Sequence, residues 1–285
     1  MAKPFIFGLI GHPVSQSLSP RLHQAAFAYA GLSGEYKLFD IPQSELAKRV
    51  SDLITSGING FNITIPHKQA LYEMVHSRSK EAECVGALNV VKVLNDGRLE
   101  GHNTDYDGLK LALAQDHPLD FKGKSALLLG AGGAALAAAA AAYNLGFAKL
   151  RVLARDPERQ KTFIDFVQER QKHLANTKQL TLIEPDRSDY WSEPALVINA
   201  TSIGLTEEPQ PDWMTELIGR LPPECFCFDM VYRKNGTLPT FARLAQERGL
   251  KNQGGLDMLI HQAELSFQYW TGVSVPFQVM KEAVL

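Results

Sequence analysis

Lys124-Ser125-Ala126-Leu127-Leu128-Leu129-Gly130-Ala131-Gly132-Gly133-Ala134-Ala135 decides the fold. A short apolar run with the length of a buried strand feeds a glycine cluster, and an alanine-rich helix follows. That order suits a dinucleotide pyrophosphate. Gly130 permits the tight turn, Gly132 lets the backbone approach the phosphates because it has no Cβ, and Ala135 lets the helix lie close on the sheet. Around Ala131, Gly133 and Ala134 the new helix offers its free N–H groups and positive dipole end to the anion. The turn lies far from residue 1, so a separate region precedes it, and that region should hold the substrate.

Working outward, a helix at 107–115 opens the nucleotide block, and the helix after the glycine turn runs over 134–145 to a C-cap at Gly146. A second strand at 150–154, an amphipathic charged helix at 157–174 and strands at 180–183, 196–199 and 225–230 complete a doubly wound sheet. The N-terminal hundred residues alternate in the same way. Strands fall at 5–10, 34–41 and 60–65, the last stopping at Pro66. Helices fall at 20–30 and 43–55, the first with Ser19 as N-cap and Pro20 at its first position. A hairpin pairs 87–94 with 98–101 around Asn95-Asp96-Gly97. Strands separated by helices imply a mostly parallel α/β sheet. Helices at 256–270 and 275–284 follow Gly254-Gly255.

Bulk properties narrow the class. Of 285 residues, 45% are hydrophobic and the net charge is −2, the balance of a globular protein with a full core. No long run of Lys or Arg predicts nucleic-acid or membrane-surface binding. No stretch reaches the ~18 apolar residues of a membrane span. Met1-Ala2-Lys3-Pro4 runs straight into a strand, unlike a signal peptide. Three cysteines, an odd and small number, point to a reducing, cytoplasmic setting. Cys225-Phe226-Cys227 has no neighbouring Cys or His cluster, so inert buried thiols are favoured over a metal site.

The polar residues ahead of the glycine turn carry the chemistry. Ser17 and Ser19 sit at a strand-to-helix junction, where two hydroxyls and a helix N-terminus suit a carboxylate, although Ser19 alone reads as a cap. Asn62 and Thr64 share one face of an apolar strand and need polar partners, either neighbouring backbone or a polyol. Lys68 reads as a solvated helix-start lysine or as a proton carrier. Asp105 reads as a helix N-cap or as the partner of Lys68. A Lys–Asp pair suits alcohol oxidation, because the O–H proton must leave as hydride passes to a nicotinamide; the lysine then needs a buried or shared site.

Taken together these segments resemble the shikimate dehydrogenase family over nearly the whole chain. Ser15-Gln16-Ser17-Leu18-Ser19-Pro20 is similar to its Ser-x-Ser-Pro signature, and Asn62-Ile63-Thr64-Ile65-Pro66-His67-Lys68 to its Asn-x-Thr-x-Pro-x-Lys segment. Gly86-Ala87-Leu88-Asn89 and Gly101-His102-Asn103-Thr104-Asp105 follow in register, as do Asn199-Ala200-Thr201, Asp229-Met230-Val231-Tyr232 and Gly255-Leu256-Asp257-Met258. The resemblance implies a substrate domain of 1–106 and 254–285 and a Rossmann-type NADP-binding domain of 107–253. It makes Lys68 and Asp105 catalytic. It gives the carboxylate of shikimate or 3-dehydroshikimate to Ser17, Ser19 and Tyr232, and the ring hydroxyls to Asn62, Thr64, Asn89, Asp105 and Gln262. Gly130 to Ala134, Arg155, Arg159, Thr201, Met230, Gly255 and Met258 fall to the cofactor, with no metal.

Arg155 and Arg159 match two arginines of the family's NADP pattern, Asn-Arg-Thr-x-x-Arg, which favours NADP over NAD. Ala154 and Asp156 replace its asparagine and threonine. Asp156 also reads as the N-cap before Pro157. Leu136 stands where many relatives carry arginine, Val90 where threonine is usual beside Asn89, and Tyr106 where glycine is common. The expected activity is reversible NADPH-dependent reduction of 3-dehydroshikimate in aromatic amino acid biosynthesis, by a monomer or homodimer. The alternatives are an NAD-dependent quinate/shikimate dehydrogenase and a non-catalytic nucleotide-binding sensor.

Overall fold

The computed structural model describes residues 3–115, 120–173, 181–183, 193–205 and 210–285. Within these the chain divides into two compact units, 1–108 with 259–285, and 109–258.

The first unit is built on β1 (Phe5–Gly11), α1 (Ser19–Ala30), β2 (Gly34–Asp40), α2 (Leu46–Thr55), β3 (Gly60–Ile63), α3 (Lys68–Met74), β4 (Ser77–Arg78), α4 (Lys80–Val85), β5 (Val90–Val93) and β6 (Leu99–His102). Its six strands run in the order β2-β1-β3-β5-β6-β4. β1 pairs in parallel with β2 and β3, but β3–β5 and β5–β6 are antiparallel. The expected mostly parallel sheet is therefore mixed. The Asn95-Asp96-Gly97 turn accounts for the β5–β6 pair, since Gly97 at φ 82° closes a tight connection that only antiparallel strands can use.

The anticipated helix at 43–55 divides into a 3-10 turn over Gln43–Glu45 and α2. The strand expected to reach 65 ends at Ile63, ahead of Pro66. One core layer gathers Ile10, Phe61, Ile63, Leu71, Leu88 and Val91. Aromatic rings form another, with Phe7 stacked 4.3 Å from Trp270, and the Trp270 indole donates to the Val91 carbonyl at 2.9 Å.

After α5 (Asp105–Gln115) the second unit follows as β7 (Ser125–Leu129), α6 (Gly133–Asn144), β8 (Lys149–Leu153), α7 (Pro157–His173), β9 (Thr181–Ile183), β10 (Leu196–Asn199), α8 (Asp212–Arg220), β11 (Phe226–Asp229), α9 (Thr240–Glu247) and β12 (Lys251–Gln253). The chain closes with α10 (Leu256–Thr271) and α11 (Phe277–Glu282). Residues 174 and 180, expected at a helix end and a strand start, lie outside the described residues. The order β12-β11-β10-β7-β8-β9, with every pair parallel, is the doubly wound arrangement expected. Its central strand β7 is almost wholly buried, as a strand covered on both faces must be. α6 is buried along most of its length because its alanines bring it close to the sheet; Leu136 belongs to that packing.

Candidate active site

Lys68 and Asp105 each stand at the first residue of a helix, α3 and α5. The Lys68 ammonium donates to Asp105 Oδ2 at 2.5 Å, with side chains only 14% and 9% exposed. The solvated-lysine reading therefore fails, and so does Asp105 as a mere cap: its two oxygens face side chains. Asp105 Oδ1 accepts from Asn89 Nδ2 at 2.9 Å. Asn89, just before β5, also donates to Gln262 Oε1 at 3.1 Å, and its own Oδ1 accepts the Thr104 N–H at 2.7 Å. Four residues far apart in sequence thus converge on one hydrogen-bonded cluster, in the unit that carries no glycine turn.

Ser17 and Ser19 are also together, Ser17 Oγ donating to Ser19 Oγ at 3.0 Å and accepting the Ser19 N–H at 3.1 Å. Ser19 is not the N-cap. The helix already begins there, Leu18 occupies the cap position, and no side chain caps it. Thr64 is half-buried just past β3, its N–H paired with the Ile10 carbonyl.

Asn62 departs from the expected ligand role in its geometry. It is buried; Oδ1 accepts from Tyr36 Oη at 2.8 Å, and Nδ2 donates to the Asn89 carbonyl at 3.1 Å and to Ser266 Oγ at 2.9 Å. Both amide hydrogens and one oxygen lone pair are spent inside the protein. Behind it His23 is fully buried against Tyr36, 4.3 Å between rings, with neither ring nitrogen at hydrogen-bonding geometry. Burial pushes its pKa down to about 3, with Asn62 partly offsetting the fall. Val90 is likewise fully buried, so the hydroxyl it lacks is missing from the core.

The second unit carries an anion cradle. Gly130 has φ 107°, and a Cβ there would press on the Ala200 carbonyl at 3.1 Å. Gly132 caps α6 without any side-chain bond, in extended backbone with open space where a Cβ would stand. The N–H groups of the first turn of α6, at Gly133 and Ala134, are left for a ligand. Asp156 Oδ1 accepts the N–H groups of Glu158 at 3.0 Å and Arg159 at 3.3 Å, so it does cap α7. Arg155 and Arg159 are exposed. Gln160 Oε1, which sequence reasoning passed over, accepts the Ala154 N–H at 3.0 Å and braces this turn. These residues fit a dinucleotide carrying an extra phosphate.

At the ends of β10 and β11, Asn199 Oδ1 accepts from Thr201 Oγ1 at 2.6 Å, and Asn199 Nδ2 donates to Asp229 Oδ1 at 2.9 Å. Burial pushes the Asp229 carboxyl up to about 7, against the pull of bonds from the Val231 N–H and Asn199. Gly255 lies where any Cβ would strike the Met230 carbonyl, which explains the glycine. Tyr232 is half-buried and Met258 buried.

A profile of the shikimate dehydrogenase substrate binding domain matches residues 9–91, and one of the shikimate 5'-dehydrogenase C-terminal domain matches 255–285. The shikimate dehydrogenase (NADP(+)) of Symbiobacterium thermophilum is 36% identical over 288 residues, covering 98% of this chain and 93% of the relative. The chain belongs to the shikimate dehydrogenase family. Its fold is that of the shikimate dehydrogenase of Aquifex aeolicus, with a TM-score of 0.86 at 29% identity over 100% of this chain and 98% of that one. The Thermus thermophilus enzyme, solved in complex with NADP(H) and shikimate, matches at TM-score 0.79 and 35% identity, covering 98% of each chain.

For this family member, sequence reasoning missed Thr104, Ser266 and Tyr36. Thr104 adjoins Asp105 in Gly101-His102-Asn103-Thr104-Asp105, and that adjacency is the signal the sequence offers. Tyr36 and Ser266 gave none, because they lie 26 and 204 residues from Asn62.

Proposed function

We propose that this protein is a shikimate dehydrogenase that reversibly reduces 3-dehydroshikimate to shikimate with NADPH, in the biosynthesis of chorismate and the aromatic amino acids. The observation that carries the reading is the enclosed Lys68–Asp105 pair, braced by Asn89. Bound NADPH supplies the hydride for C3 of the ring. Lys68 Nζ supplies the proton that the C3 oxygen takes up, and in the oxidative direction receives it. Asp105 holds the ammonium in place through Oδ2 and offers the ring an acceptor for a neighbouring hydroxyl. Asn89, Thr64 and Gln262 grip ring hydroxyls, while Ser17 and Ser19 take the carboxylate.

Gly130 to Gly133 and the N-terminus of α6 hold the pyrophosphate. Arg155 and Arg159 take the 2′-phosphate, and Asp156 is turned onto the Glu158 and Arg159 N–H groups that it caps. Thr201, Met230, Gly255 and Met258 line the nicotinamide side. We assign the enzyme to the cytoplasm, where its three free cysteines are stable, as a monomer or homodimer.

The test pairs shikimate and quinate with NADP and NAD and follows nicotinamide absorbance. Shikimate with NADP should exceed each other combination in kcat/KM by more than about tenfold. Turnover of quinate with NAD at an equal rate, or of no combination at all, would overturn the reading.

A further inference from the structure

Asn89 Nδ2 has two hydrogens and three acceptors in reach: Asp105 Oδ1 at 2.9 Å, Gln262 Oε1 at 3.1 Å and Thr104 Oγ1 at 2.9 Å. What keeps this amide from turning over is residue 104. The Thr104 N–H can only donate, and it does so to Asn89 Oδ1 at 2.7 Å, which points the nitrogen toward Asp105. The Thr104 hydroxyl is fully buried and donates to the Gln262 carbonyl at 3.1 Å, with Ser266 Oγ 3.2 Å away. Ser266 Oγ donates to the same carbonyl at 2.7 Å and accepts from Asn62 Nδ2. Thr104 therefore ties the amide that faces Asp105 to the turn of α10 that carries Gln262. Asn62 and Ser266 close the network from behind.

We propose that Thr104 is a positioning residue: its N–H and hydroxyl together fix the Asn89 amide, so that Asp105 receives a hydrogen on Oδ1 and presents Oδ2 to Lys68. This inference rests on the shikimate dehydrogenase reading for its kinetic consequence, but not for its geometry. A valine at 104 keeps the shape and removes only the hydroxyl; a serine keeps the hydroxyl and removes only the methyl.

Thr104→Val should lower kcat about tenfold, the worth of one buried hydrogen bond, while KM for NADP stays within about twofold. Thr104→Ser should restore most of the loss. In an Asn89→Ala background the valine should cost less than about twofold more, because the group it orients is gone. The second readout needs no turnover. In heteronuclear NMR the Asn89 side-chain amide, identified by its disappearance in Asn89→Ala, should be protected from solvent exchange in the unmodified protein and in Thr104→Ser, and measurably less protected in Thr104→Val. An unprotected Asn89 amide in the unmodified protein overturns the proposal even if the valine variant does not fold. So does a full additional loss from the valine in the Asn89→Ala background. If the unmodified protein turns over no ring acid, the functional reading falls, and the exchange measurement still decides the role of Thr104.

Discussion

In the unit formed by 1–108 and 259–285, the candidate site is a network of side chains; in the unit formed by 109–258, the turn at its centre is bare backbone. Around Lys68 and Asp105, the amides of Asn62, Asn89 and Gln262 and the hydroxyls of Thr104 and Ser266 are buried and bonded to one another. Around Gly130 and Gly132 there is an absence of Cβ atoms and an uncapped helix start. On the proposed function, the difference follows from what each would recognise. Ring hydroxyls have directions that only oriented donors and acceptors can read, whereas a pyrophosphate asks for N–H groups and close approach. One half therefore carries a costly polar network inside its core, and the other an inexpensive cradle at the end of a well-packed sheet.

The largest expected effect tests the side-chain half. Asp105→Asn should lower kcat by about a thousandfold while leaving NADP binding intact, because the charge that holds the Lys68 ammonium is lost and the glycine turn is untouched. A matching loss of NADP affinity, measured by calorimetry, would break the separation of the two halves.

Acid should next drive the two units in opposite directions. Burial holds His23 down to about 3, so the unfolded chain takes up its proton first as pH falls; stability from this group is complete above 6.5 and is lost toward 3. Burial holds Asp229 up to about 7, so the folded state keeps its proton longer as pH rises; stability from this group is complete below about 4 and is lost toward 7. Between pH 6.5 and 4.5 each contributes about 2 kcal/mol, with opposite signs. Chemical denaturation read separately at Trp270 and Trp213 should show the first unit weakening and the second strengthening over this range. In His23→Phe the first trend should shrink to what His102 and Glu81 leave, both being held below their usual values; parallel trends in both units would contradict the assignment.

A smaller effect sharpens the cofactor half. Arg155→Ala combined with Arg159→Ala should raise KM for NADP by about 30-fold and leave NAD nearly unchanged, as loss of charge-assisted phosphate bonds requires. Equal losses with both nucleotides would move the phosphate contact elsewhere. Smallest is Gly130→Ala, which forces an alanine to φ 107° against the Ala200 carbonyl. It should cost about 1–2 kcal/mol of stability, seen as a fall of a few degrees in Tm, and weaken nucleotide binding more than shikimate binding.

The two halves also differed in how far the sequence disclosed them. β7 and β10 matched the expected ranges at 125–129 and 196–199, because a buried parallel strand is a continuous apolar run bounded by glycine or polar residues. The short pieces α3, β4 and α4 left no period long enough to read, and α8, α9 and β12 lie on either side of the expected strand at 225–230, in stretches for which no element was read. In the site, Lys68 and Asp105 taken singly were each legible only as a pair of alternatives; the 2.5 Å contact shows the two paired. Asn62 was placed on the right face, but period-two alternation gives a face and not a partner. Its partners Tyr36 and Ser266 came from β2 and α10, which no local pattern could bring together.

The central claim is that Lys68 moves the proton while the rest of the site binds the ring. Stopped-flow turnover of Lys68→Ala with shikimate and NADP, alongside calorimetric shikimate affinity, tests it most directly. The account predicts turnover reduced by about a thousandfold or more with Kd for shikimate within about fivefold of the unmodified protein. Near-normal turnover in that variant, or a loss explained wholly by failure to bind shikimate, would contradict it.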